Sequence, residues 1–209
     1  MKDVHLIVNG MVQGNCWIVG ENQECYIIDP GDEANKIISW VERHYTKVKA
    51  ILLTHGHFDH CGAVDEVAEA FKCPVYIDYQ DLVYIGTPTK KASEALFGVD
   101  LVLKTPLKSL ADFKDDNITV LKTPGHTPGS VTFLFKDIKA AFTGDCLFKY
   151  SIGRTDLPGG DYNEMLASLK FLASLPDDYM IYPGHEPAGS MKEIAYGLNP
   201  YISAYHKHH

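Results

Sequence analysis

The chain has 209 residues, 45% of them hydrophobic, with 19 Lys and Arg against 27 Asp and Glu and a net charge of −8. That length and apolar content supply a full core and suit a single domain over 1–209, while the acidic balance excludes the general nucleic-acid affinity that a basic face gives. No apolar stretch approaches membrane-spanning length and the N-terminus lacks the apolar centre of a secretory signal, so no membrane partner and a cytoplasmic location are expected. The five cysteines include no C-x-x-C pair. They suit reduced thiols better than a disulfide framework, with Cys16, Cys25 and Cys73 as small buried hydrophobes.

In chain order, Val4–Val8, Cys16–Val19 and Cys25–Ile28 read as a strand meander that stops at Asp29-Pro30-Gly31, a good turn sequence. Residues 33–45 carry Ile37, Ile38, Trp40 and Val41 at helical spacing, with basic residues near the end. Ala50–Leu53 is a four-residue aliphatic run that empties into Thr54-His55-Gly56-His57-Phe58-Asp59-His60. Residues 62–71 read as a helix ended by Cys73-Pro74, and Val75–Ile77 as a strand. Helical patches are predicted over Gln80–Ile85 and Lys91–Phe97, the second overlapping the run Ser93 to Gly98. Ile118–Lys122, Val131–Phe135 and Ala140–Thr143 return to strands that should form a second sheet. Capping boxes at Asp161–Glu164 and Ser190–Glu193 open two more helices, the first running to Pro176. The tail His206-Lys207-His208-His209 reads as a frayed end.

The residues from Thr54 to His60 hold three imidazoles and a carboxylate at a strand end, where α/β proteins place their chemistry. If the strand continues through Gly56, His55 and His57 leave the same side of the backbone and reach one cation. Asp59 and His60 are adjacent and should diverge, which calls for a second ion. His126, between two prolines and two glycines in Thr123–Ser130, sits in a rigid loop and is a further ligand candidate. Thr143-Gly144-Asp145 and Tyr182-Pro183-Gly184-His185 again place Asp145 and His185 at strand ends.

The residues 54–60 resemble the T-H-x-H-x-D-H signature of the metallo-β-lactamase fold superfamily, and His126, Asp145 and His185 follow in that superfamily's order. The resemblance implies an α+β, four-layer αββα sandwich. It implies His55, His57 and His126 as ligands of a first metal ion, Asp59, His60 and His185 of a second, and Asp145 as the bridge. Asp29, in a D-P-G similar to the superfamily's, would support the metal loops by hydrogen bonds. The donor set of five imidazoles and two carboxylates admits two divalent ions, zinc foremost, with iron or manganese as alternatives. Two such ions share a water whose pKa falls toward about 7, so that a bridging hydroxide attacks and Asp59 orients it.

Within the superfamily, secreted β-lactamases usually bring a signal peptide, and one class has Cys where Asp145 stands. Flavodiiron proteins place Glu at His57, and the tRNA-processing endonucleases carry an added RNA-binding arm. Gly153-Arg154-Thr155-Asp156 is similar to the G-R-[ST]-D run of compact glyoxalase II-like hydrolases, and also of persulfide dioxygenases, and with Asn199-Pro200-Tyr201 extends the match over nearly the whole chain. A small-molecule thioester of the hydroxyacylglutathione type is therefore the expected substrate, since a thiolate leaves without an added acid. The longer enzymes' C-terminal glutathione-binding helices are not expected here. Lys149, Tyr150 and Arg154 are candidate substrate contacts; Arg154 could instead pair with Asp156 to shape its loop. A mononuclear-iron persulfide dioxygenase using His55, His57, His126 and Asp145, lactone or phosphodiester hydrolysis, and a non-catalytic interaction domain are the alternatives. Cys61 and Cys146 adjoin ligands but read as packing residues.

Overall fold

A computed structural model describes residues 2–92 and 94–205; Ser93 and the tail His206–His209 lie outside it. The chain divides into two compact units, one up to Phe113 and one from Lys114 on, each built on one sheet.

In the first unit, β1 (Asp3–Asn9), β2 (Gly14–Glu21) and β3 (Glu24–Ile28) form the antiparallel meander. From β3 onward the sheet is parallel, because α1 (Ala34–His44) carries the chain back before β4 (Lys47–Leu52), and α2 (Phe58–Cys61) and α3 (Val64–Phe71) do so before β5 (Val75–Ile77). β6 (Leu107–Ser109) pairs parallel with β5 and completes the order β1-β2-β3-β4-β5-β6. Ile37 and Val41 of α1, four apart, and Val64, Val67 and Ala68 of α3 bury one stripe each in a cluster with Ile18, Ile27, Ile51, Leu53, Val75 and Ile77.

Two predicted helices come out differently. Residues 79–84 form a 3₁₀ helix whose first turn is capped by Asp78, which accepts from Gln80 N–H. Lys91–Phe97 is not helical at its described residues. Phe97 (φ 53°) and Gly98 (φ 74°) turn the chain so that Leu96 and Val99 bridge each other, and Glu94 N–H donates to Val83 O. Leu96 is buried there, whereas Phe97 is 70% exposed. A helix would have had no apolar stripe to bury, and the tight turn at Phe97-Gly98 prevailed. β6 was not anticipated: three residues are too few to show an alternation.

The second unit runs β7 (Ile118–Lys122), β8 (Val131–Phe135), β9 (Ala140–Gly144), α4 (Tyr162–Leu172), β10 (Met180–Pro183), β11 (Gly189–Ser190), α5 (Met191–Glu193) and α6 (Pro200–Ser203). Its sheet order is β11-β10-β9-β8-β7, with β9 and β10 parallel across α4. Every residue of β8 and β9 is buried, which is why they read as unbroken apolar runs rather than alternating ones. Met165, Leu169 and Leu172 of α4 pack with Leu134, Ala141 and Ile181. The capping box at Ser190 has both arms, and at α4 the Asp161 carboxylate accepts from Asn163 and Glu164 N–H. Among the described residues no helix is long and apolar enough to cross a membrane.

Asp161→Ala removes the acceptor of two helix-end N–H groups and is expected to cost about 1 kcal/mol, read as a lower urea midpoint at unchanged slope.

Candidate metal centre

In the first unit the ligand-bearing loop starts where β4 stops, at Leu52, so the strand does not continue through Gly56. The His55 and His57 rings nevertheless meet, with centroids 4.7 Å apart. A bend brings them together: Gly56 N–H, between the two histidines, donates to Asp81 Oδ2 at 2.9 Å, and Asp81 is fully buried. Asp81 escaped the sequence reading because it lies in a segment with no motif, the 3₁₀ helix after β5. The expected divergence of Asp59 and His60 is also corrected. Both sit on the four-residue α2, and their side-chain tips approach each other, Asp59 Oδ2 lying 3.6 Å from His60 Nε2.

Asp29 orders this loop. It holds a left-handed backbone (φ 52°) and is 2% exposed. Its carboxylate accepts from Thr54 N–H at 2.7 Å, from Thr54 Oγ1 at 2.6 Å and from His60 Nδ1 at 3.1 Å. These bonds fix tautomers. A carboxylate can only accept, so His60 carries its proton on Nδ1 and presents the Nε2 lone pair. The Thr54 hydroxyl proton is committed to Asp29, so Thr54 Oγ1 accepts from His55 Nδ1 at 3.1 Å, and His55 likewise presents Nε2. The ligand atoms of Asp29, His55 and His60 lie within 4.8 Å of one another. Gly31, in the D-P-G turn, has a second role: a Cβ there would stand 1.7 Å from Asp59 O, so only glycine lets α2 approach.

In the second unit His126 lies in the loop after β7, Asp145 directly follows β9, and His185 follows β10. Asp145 Oδ2 is 3.5 Å from His126 Nε2 and 3.7 Å from His185 Nε2. These separations are too long for hydrogen bonds. They match donors around a common cation: bonds of 2.0–2.1 Å in a tetrahedral site put neighbouring ligand atoms about 3.3 Å apart. His126 Nδ1 donates to Arg154 O at 2.7 Å, which again leaves Nε2 as the presented atom. Gly153 permits that contact, since a Cβ there would lie 1.9 Å from Asp145 O. The residues present therefore fit divalent metal ions.

Of the candidate substrate contacts, the Arg154 side chain is half exposed. Its guanidinium makes a two-pronged pair with Asp156, both bonds 2.7 Å, and that hydrogen bonding lowers the Asp156 carboxyl to about 2. Arg154 acts through its backbone carbonyl on His126. Lys149 Nζ lies 5.9 Å from the half-exposed Tyr150 ring, and Tyr150 N–H donates to Glu186. Asn199 ties the far end of the unit to this loop through Phe148 O and Ser151 O. Cys61 and Cys146 are buried packing residues: Cys61 Sγ contacts His55 O at 3.3 Å and Cys146 Sγ contacts Met165 Sδ at 3.8 Å. Burial pushes the Cys146 thiol up to about 12 and raises Cys61 as well.

A profile of the metallo-beta-lactamase superfamily matches residues 9–185. The chain belongs to that superfamily. The hydroxyacylglutathione hydrolase GloC of Haemophilus influenzae is 34% identical over 194 residues, 88% of this chain and 90% of that one. The crystal structure of the BLEG-1 B3 metallo-beta-lactamase matches at TM-score 0.86 and 34% identity, covering 96% of this chain and 100% of that one. TTHA1623 in a di-iron-bound form matches at 0.81 and 36%, covering 94% and 99%. The metallo-β-lactamase fold, α+β with two mixed sheets and helices, is thus the one observed, and with it the chain is a metal-dependent hydrolase of this superfamily.

Two outcomes are expected. Asp29→Asn keeps the shape but turns an amide NH2 toward at least one of the three donors now served by the two carboxylate oxygens, so metal affinity should fall about 10- to 100-fold, measured by competition with a chromogenic chelator at unchanged circular dichroism. All five cysteines are buried, so Ellman's reagent at pH 8 should count close to no thiols in the native protein and five after unfolding in guanidinium.

Proposed function

We propose that the protein is a dinuclear metal-dependent thioester hydrolase acting on hydroxyacyl thioesters of the lactoylglutathione type. The observation that carries the metal chemistry is the Asp145 carboxylate oxygen set 3.5 and 3.7 Å from two imidazole nitrogens. The substrate class is supported by the 34% identity to a hydroxyacylglutathione hydrolase over 88% of the chain. His55, His57 and His126 would hold one ion, Asp59, His60 and His185 the other, with Asp145 shared. Assigning all seven to one centre rests on the order of the superfamily's ligands along the chain.

Divalent ions, when bound, supply a water acidified toward neutral pH and a Lewis acid for the acyl oxygen. The chain's own part is orientation. Asp29 and the Arg154 carbonyl hold His60 and His126 with the proton on Nδ1, and Asp59 accepts a hydrogen bond from the attacking water. The departing thiol needs no dedicated proton donor, because its pKa of about 8.5 makes the thiolate a good leaving group. Zinc is the proposed metal; iron and manganese suit the same imidazole and carboxylate set.

Elemental analysis of protein purified without added metal, with turnover of lactoylglutathione and nitrocefin, tests this reading. About two ions per chain and thioester cleavage far faster than nitrocefin cleavage are expected. Faster nitrocefin cleavage would favour a β-lactamase, in keeping with the BLEG-1 likeness. One iron per chain with oxygen uptake on a persulfide would replace the hydrolase with a dioxygenase. His126→Ala or Asp145→Ala should lower kcat/KM about a thousandfold or more, the several kcal/mol that metal ions contribute to such transition states.

A further inference from the structure

His185 is the candidate ligand that packing holds least. Its side chain is 23% exposed, against 17% for Asp59 and 4% for His126. It stands just past β10, after the point between Tyr182 and Pro183 where the register with β9 shifts. Two cross-links to the end of β9 and the loop after it, which carries Asp145, flank it. On one side Gly184 N–H donates to Gly144 O at 2.9 Å. On the other the Glu186 carboxylate accepts from Tyr150 N–H at 2.8 Å through Oε2 and from the Ser151 hydroxyl at 2.7 Å through Oε1. That part of the loop is itself anchored: Phe148 N–H donates to Ser151 O, and Asn199 Nδ2 donates to Phe148 O and Ser151 O. Glu186 also holds a left-handed backbone (φ 67°). Glycine is the residue that this conformation ordinarily selects, and another residue persists there only where its surroundings over-determine it. The side chain is therefore what the position needs, as at Asp29 (φ 52°) in the first unit.

We infer that Glu186 is a positioning residue for metal binding, clamping the backbone on the far side of His185 so that, with the Gly184–Gly144 bond, His185 Nε2 stays 3.7 Å from Asp145 Oδ2. Glu186 is not itself a ligand, since both its oxygens are engaged by the loop. A backbone tied on either side of one residue has little freedom left to lose when a cation draws in that residue's ring. Without the clamp, one flank is released and ordering it again costs affinity. The loss falls on His185, because His126 is oriented separately by the Arg154 carbonyl. The inference rests on the proposed dinuclear reading in one respect, that His185 and His126 serve different ions.

Side-chain ¹⁵N NMR of the full-length, zinc-loaded protein in buffers of falling free zinc follows His185 Nε2 and His126 Nε2 separately, at a temperature well below every Tm. Glu186→Ala should release His185 at about 10- to 100-fold higher free zinc than wild type, while His126 moves less than about threefold. Glu186→Gln should stay near wild type, because its amide oxygen can accept from Tyr150 N–H and its NH2 can donate to the Ser151 oxygen. A His185 response unchanged in Glu186→Ala, whatever Tm does, overturns the inference and leaves Glu186 a structural contact. So does an equal loss in Glu186→Gln, which would make the charge rather than the bonds responsible. If His126 weakens as much as His185, the two rings share one ion, and the dinuclear reading falls while Glu186 keeps its role. A wild-type His185 signal that does not depend on zinc overturns both. Where Glu186→Ala does not fold, Ser151→Ala removes one of the two bonds and should weaken His185 in the same direction; no change there overturns the clamp.

Discussion

The carboxylate of Asp29 is the point on which the first unit's ligand loop depends. It joins the end of β3 to the start of the loop through Thr54 and to α2 through His60. Because a carboxylate only accepts, the bonds to Thr54 Oγ1 and His60 Nδ1 also decide where a proton sits. The same interaction that fastens the chain thus chooses which imidazole nitrogens can meet a metal. Its left-handed backbone (φ 52°) is a local strain that the bonds around it hold in place. Asp81 completes the arrangement from the next segment by fixing Gly56 between two histidines.

The second unit solves the same problem with a backbone group. His126 is oriented by the Arg154 carbonyl, while the Arg154 side chain turns to Asp156. The G-R-[ST]-D run therefore acts as a brace: glycine for the close approach to Asp145, a carbonyl for the histidine, and an exposed ion pair that shapes the turn. An exposed pair of this kind adds little stability. Its contribution is the loop geometry, and Asn199 and Glu186 hold the neighbouring residues from the C-terminal side.

Both units place ligands directly after strands whose residues are buried, β4 ending in Ala50-Ile51-Leu52 and β9 buried throughout. Packed strands have few alternative conformations, so the loops start from fixed points. Ligand atoms held 3.5 to 3.7 Å apart need little further ordering when a cation arrives, and pre-ordered ligands spare the entropy that a flexible loop would lose on binding.

The sequence by itself determined the strands of both sheets apart from the short β6 and β11, the helices α1, α3 and α4 and the candidate ligands, because those features are local: periodicity, capping residues and histidines at strand ends. It also determined that His55 to His60 is a metal-type cluster, by density of donors alone. Tertiary structure decided what depends on residues far apart in the chain. Asp81 reaches Gly56 from 25 positions away, Gly31 makes room for α2, and the Arg154 backbone rather than its guanidinium serves His126. The convergence of Asp59 with His60, and of His55 with His57 without a continuing strand, came from the bends those distant contacts impose. The absence of a helix over the described part of Lys91–Phe97 has the same origin, since a helical pattern without a stripe to bury gives way to the turn at Gly98. Spacing can nominate ligands, but only packing shows which atom of each faces its neighbours and which proton has already been assigned.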